Sequence, residues 1–121
     1  MFPVRLCESQ IELKYREDVI YLSLKAAFIF LAPQADPSKH LADIQTPEVT
    51  LLVRGVQNYE EAVKVAKQLV TEGVQALELC GGFGNIGTAK IVEAVEHKIP
   101  VGTVRFDCHP GLGGKSGDDL F

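Results

Sequence analysis

The densest concentration of chemistry in the chain is Glu78-Leu79-Cys80-Gly81-Gly82-Phe83-Gly84-Asn85-Ile86-Gly87. An apolar strand runs into closely spaced glycines and out into a helical pattern. Such a turn brings bare backbone N–H groups to a helix N-terminus, where an anion can be held. Gly82, Gly84 and Gly87 also carry the G-x-G-x-x-G spacing of a dinucleotide site, and Asp107 falls 20 residues after Gly87, where a ribose-binding acid is expected. The match sits on the third strand of a short chain, however, with no second half-fold for a dinucleotide. The glycines therefore read better as a tight turn that uses positive φ and allows close helix packing. Lys90 comes too late for a Walker loop.

In open parallel sheets, ligands bind beyond the carboxyl ends of the strands. The chain delivers Arg54 there from its second strand, Glu78, Cys80 and the glycine loop from its third, and Arg105, Asp107, Cys108 and His109 from its fourth. Arginine forks and helix N-termini both suit carboxylate or phosphate. The leading expectation is thus a small anionic ligand, phosphate or carboxylate, bound by Gly81, Gly82, Gly84, Asn85, Arg54, Arg105 and Asp107. The plainer alternative pairs Arg105 with Glu78 or Asp107 and leaves Arg54 solvated.

Two further readings stand beside it. In the first, the chain is a small enzyme. Cys80, at a strand end before a helix, would be the nucleophile, with Glu78 or His109 as acid–base partner. A cysteine in that place also serves as small core filler. In the second, the glycine loop is structural and an edge or N-terminal arm builds a homo-oligomer. A metal on Cys80, Cys108 and His109 lacks paired ligand spacing, so neither metal nor cofactor is expected. A phospho-receiver would need an aspartate where Cys80 stands, and an acidic pair where Pro33-Gln34 stands. Asp107-Cys108-His109 approaches a cobalamin motif, but Leu112 holds the glycine place. His40 and His97 fall on helical patterns, facing solvent.

Composition narrows the setting. A chain of 121 residues with 46% hydrophobic and 23% charged residues is one soluble domain. A formal charge of −4 gives no basic footprint for nucleic acid. Three cysteines without ligand spacing suit a reducing cytoplasm, and Met1–Ser9 lacks the pattern of a secretory signal. The run Val19–Ala32 is interrupted by Lys25 and is too short to span a membrane. The expected partners are a small anionic ligand and further copies of the chain, with neither nucleic acid nor membrane.

The elements that must position these residues alternate. Strands are predicted at Val19–Leu31, Val49–Val56, Val74–Cys80 and Ile99–Phe106. Helices are predicted from Asp36-Pro37 to Gln45, from Asn58 to Gly73, and from Asn85 to His97. The order βαβαβαβ implies a small three-layer α/β unit with a mainly parallel sheet of about four strands. A ferredoxin-like antiparallel sheet is the rival. Residues 1–24 form an N-terminal extension, where Ile11, Leu13 and Tyr15 alternate with charged residues as an edge strand or arm would. Residues 25–106 form the domain. The glycine-rich tail 107–121 has no periodicity and reads as a loop or disordered end.

From Lys25 to Phe106 the chain resembles an uncharacterised family of short prokaryotic α/β proteins, a domain of unknown function. The residues that carry the likeness are Ala27-Phe28-Ile29-Phe30-Leu31-Ala32-Pro33, Glu78-Leu79-Cys80-Gly81-Gly82-Phe83-Gly84 and Pro100-Val101-Gly102-Thr103-Val104-Arg105-Phe106. The resemblance implies no activity. Residues 1–24 precede the family's usual start.

Overall fold

A computed structural model describes residues 24–121. The order is β1 (Leu24–Leu31), β2 (Leu41–Gln45), β3 (Val49–Val56), α1 (Tyr59–Thr71), β4 (Ala76–Leu79), α2 (Asn85–Ala94) and β5 (Val101–Thr103). Two one-turn 3-10 helices follow, at Pro110–Leu112 and Gly117–Asp119. The sheet runs β2-β3-β1-β4-β5, with β1, β3, β4 and β5 parallel and β2 antiparallel to β3. The α/β class and the mainly parallel sheet are as the sequence predicts. The alternating segment at residues 11–16 lies outside the described residues.

One predicted element is of the other type. Residues 36–45 are a turn and the strand β2 rather than a helix. Asp36 does not cap a helix; its carboxylate accepts from the Ser38 N–H at 2.8 Å and closes a local turn. His40 Nδ1 accepts from the Asp36 N–H at 2.8 Å. Leu41–Gln45 then pairs with Thr50–Arg54 as a hairpin. This strand supplies the extra edge of the sheet, and the layer its helix would have formed is absent among the described residues.

α1 and α2 share one face. The crossovers β3-α1-β4 and β4-α2-β5 step the same way across the sheet, so a common hand puts both helices on the same side. There they pack on each other. Asn58 starts α1 as its sequence suggests, its side-chain oxygen accepting from the Glu61 N–H at 2.8 Å. Ala62, Ala66 and Leu69 of α1, with Ile91 of α2, meet Ala27 and Ile29 of β1, Leu52 and Val56 of β3, and Leu77 and Leu79 of β4 in one core. Among the described residues, no helix is long and apolar enough to cross a membrane.

Candidate functional site

β4 hands the chain to the glycine loop, and α2 begins at Asn85 with Gly84 as an N-cap that has no side chain to accept from the first turn. The open N–H groups at such an end need an acceptor. It comes from the C-terminal tail. Asp118 Oδ2 accepts from the Ile86 N–H at 2.9 Å, and Oδ1 accepts from the Gly87 N–H at 3.0 Å. Tyr59, the first residue of α1, donates its hydroxyl to Asp118 Oδ1 at 2.8 Å and accepts from the Gly84 N–H at 2.9 Å. The backbone anion nest read from the loop is therefore filled from within the chain.

The electrostatics follow from these contacts. Burial opposes ionisation of Asp118, but the N–H groups of Ile86, Gly87 and Asn85 and the Tyr59 hydroxyl outweigh it, holding the carboxyl below its ordinary range. Tyr59 is pushed the other way, chiefly by burial and further by the Asp118 charge beside its hydroxyl. The tail is shaped for delivery. Ser116 and Asp119 form a capping box around the turn Gly117–Asp119 and hold Asp118 toward α2.

The loop glycines work by leaving room. None of Gly81, Gly82, Gly84 and Gly87 has a positive φ, contrary to the expected turn geometry. A Cβ on Gly84 would run into the Asp118 carboxylate, and one on Gly87 into the Tyr59 ring. A Cβ on Gly81 would strike the Phe106 ring, which packs against His109 with centroids 4.6 Å apart.

Beside this clasp, at the carboxyl ends of β4 and β5, lies a cleft of about 190 Å³. Gly84, Asn85 and Thr88 form its α2 wall, Thr103, Arg105 and Asp107 its β5 wall, and Ser116 belongs to the tail. The Thr88 hydroxyl is buried and has no hydrogen-bond partner. The Arg105 Nε donates to Asp107 Oδ1 at 3.0 Å, and both side chains are mostly exposed, at 67% and 74%. An exposed pair of this kind contributes at most about 1 kcal/mol, so a competing carboxylate can replace it.

Of the residues singled out from the sequence, Gly84, Asn85, Arg105 and Asp107 thus line one cleft. Gly81 and Gly82 lie beneath the folded tail. Arg54 stands elsewhere, on the far side of β1, bound to Asp43 of β2 at 2.8 Å. Cys80 Sγ accepts from the N–H groups of Leu31 and Gly82, each at 3.3 Å. His109 Nδ1 accepts from the Gly111 N–H at 3.0 Å and caps the first 3-10 turn. Glu78 is exposed on the sheet face away from the helices. Among the described residues no hydrogen bond joins Cys80, Glu78 and His109, and no group of three His, Cys, Asp or Glu is placed to hold a metal. Asp118, Tyr59, Thr88 and Ser116 escaped the sequence reading, although Ser116-Gly117-Asp118-Asp119 carries the S-x-x-D signature of a cap.

No curated protein and no solved structure matches the chain. One family model does, over residues 24–119, from the first residue of β1 to just past Asp118. With most of its length matched, the chain belongs to a family of unknown function, DUF6506.

Proposed function

We propose that this unit is a binding module for a small hydroxylated monocarboxylate, taken into the cleft between α2 and the segment after β5. The observation that carries the reading is the buried, unpartnered hydroxyl of Thr88 in the wall of a cleft that also presents the Arg105 fork. Buried polar groups in folded proteins are nearly always satisfied, so one left over in a cleft points to a partner that arrives from outside. The cleft lies beyond the carboxyl ends of β4 and β5, where parallel sheets take their ligands. Its volume is below the roughly 300–1,000 Å³ of sites for drug-sized molecules, which favours a small ligand.

Charge selects among anions. Arg105 would exchange Asp107 for the ligand's carboxylate, while the hydroxyls of Thr88, Thr103 and Ser116 and the Asn85 amide suit ligand hydroxyls. A phosphate dianion is disfavoured, because Asp118 already occupies the helix N-terminus and Asp107 lies nearby. A reducing compartment such as the cytoplasm agrees with Cys80 and Cys108 both being free thiols.

A thermal-shift and calorimetric panel of lactate, glycerate, malate and inorganic phosphate tests this. The monocarboxylates lactate and glycerate should raise the Tm, the dianions malate and phosphate should act less, and Arg105→Ala should remove the rise. If no member of the panel binds, the reading fails.

A further inference from the structure

The cleft and the clasp share their walls. Gly84 lines the cleft and gives its N–H to the Tyr59 hydroxyl. Asn85 and Thr88 line it too, and they flank Ile86 and Gly87, whose N–H groups Asp118 accepts from. Ser116 is the second joint. It lines the cleft, its Oγ accepts from the Asp118 N–H at 3.2 Å, and its own N–H donates to Asp119 Oδ2 at 3.2 Å. The bond from Asp118 uses an acceptor lone pair of the serine and leaves the hydroxyl proton to be given to another group. The tail is seated closely around this point. Gly117 lies so near the Gly82 carbonyl that a Cβ would overlap its oxygen, and the Phe121 ring packs on Tyr59 with centroids 6.1 Å apart. The stretch from Thr103 to Asp118 therefore supplies one wall of the cleft through Thr103, Arg105 and Asp107 and fastens the other through Asp118.

Taking the cleft as the hydroxy-acid site proposed above, we infer that Asp118 is a positioning residue for that site and that docking of the tail on α2 and binding of the ligand are one coupled event. Neither Asp118 nor Tyr59 lines the cleft, so both act through other groups. With the carboxylate on Ile86 and Gly87, the first turn of α2 is held, and with it Asn85 and Thr88. Without an acceptor there, the open N–H groups of that turn loosen it. The same docking sets Ser116 into the cleft, so an undocked tail takes away a hydroxyl as well as the support of the opposite wall. A ligand that needs the docked tail binds with an affinity reduced by the undocked fraction. Linkage requires the converse, that the bound ligand holds the tail down.

Calorimetric titration of the full chain with glycerate, paired with amide hydrogen exchange, tests the coupling. Asp118→Asn should bind glycerate at least about fivefold more weakly than wild type, with the melting curve still cooperative. In wild type, saturating glycerate should slow exchange at Gly84, Ile86, Gly87 and Asp118 by more than in the β2–β3 hairpin, which lies away from the cleft. If Asp118→Asn does not fold, Tyr59→Phe decides the matter, because it removes the hydroxyl that holds Asp118 and keeps the ring in the core. A wild-type chain that binds no hydroxy acid overturns the reading of the cleft and this inference with it. Where wild type binds, a folded variant with undiminished affinity, or protection spread evenly over the chain, leaves the site standing and overturns the coupling.

Discussion

The Tyr59 hydroxyl and the Asp118 carboxylate, 59 residues apart in the chain, share a hydrogen bond of 2.8 Å that ties the start of α1 to the C-terminal tail. Through the same atoms both reach the start of α2, Tyr59 at Gly84 and Asp118 at Ile86 and Gly87. The tail is thus a structural part of the glycine loop. Asp118→Asn removes the charge and presents an amide group that cannot accept at both oxygen positions. Hydrogen bonds to charged groups contribute about 1.5–3 kcal/mol each when buried, and this carboxylate is partly open to water. A net loss of about 1–2 kcal/mol is expected, a fall in Tm of roughly 5–15 °C, read by calorimetry. An unchanged Tm would show the clasp to be energetically idle.

The same contact sets a pH dependence. Asp118 titrates below its ordinary range in the fold, and near 3.9 when unfolded. A carboxyl depressed by folding stabilises the fold fully above its unfolded pKa and loses that contribution as pH falls through the folded value. The Tm gap between wild type and Asp118→Asn should therefore hold steady from about pH 7 to pH 5 and shrink toward pH 3. A gap as wide at pH 3 as at pH 7 would mean that asparagine acts through shape alone.

Gly84 and Asp118 should also be coupled in mutation. Gly84→Ala places a methyl group against the carboxylate and is expected to cost about 1–3 kcal/mol by overpacking. In an Asp118→Ala background the obstacle is gone, so the same change should cost less by at least about 0.5–1 kcal/mol in a double-mutant cycle. Additive effects would indicate that the glycine serves something other than room for the tail.

Local signals carried most of the fold into the sequence. The Asn58 cap, the apolar face of α1 and the β-branched strands each announce themselves over a few residues, and their bounds lie close to those of the structure. Asp36-Pro37 misled because the pair opens a helix or a turn equally well. The helix predicted as far as Gln45 gives way to a strand, in which Ala42 and Ile44 alternate on one side of β2. That the glycine loop opens a helix was legible, since a strand running through glycines into a helical pattern is a local signal. What fills it was not, because Asp118 reaches Gly87 across 31 residues and Tyr59 across 59, and no spacing rule spans such distances. Arg54 was placed with Arg105 by strand ends alone. The insertion of β1 between β3 and β4 separates them, and strand order is a tertiary fact.

Thr88 separates a structural role from a binding one. A hydroxyl kept for stability should make a hydrogen bond, and this one makes none. Thr88→Val keeps the shape and removes an unsatisfied buried group, a change that is neutral or favourable when no partner is present. The ligand-free Tm of Thr88→Val should therefore equal or slightly exceed that of wild type. If a ligand hydroxyl is the missing partner, the variant should bind the hydroxy acid about 5- to 15-fold more weakly, the effect of losing one hydrogen bond. A variant that melts several degrees lower without ligand would place Thr88 in the scaffold and remove the main support for the cleft as a binding site.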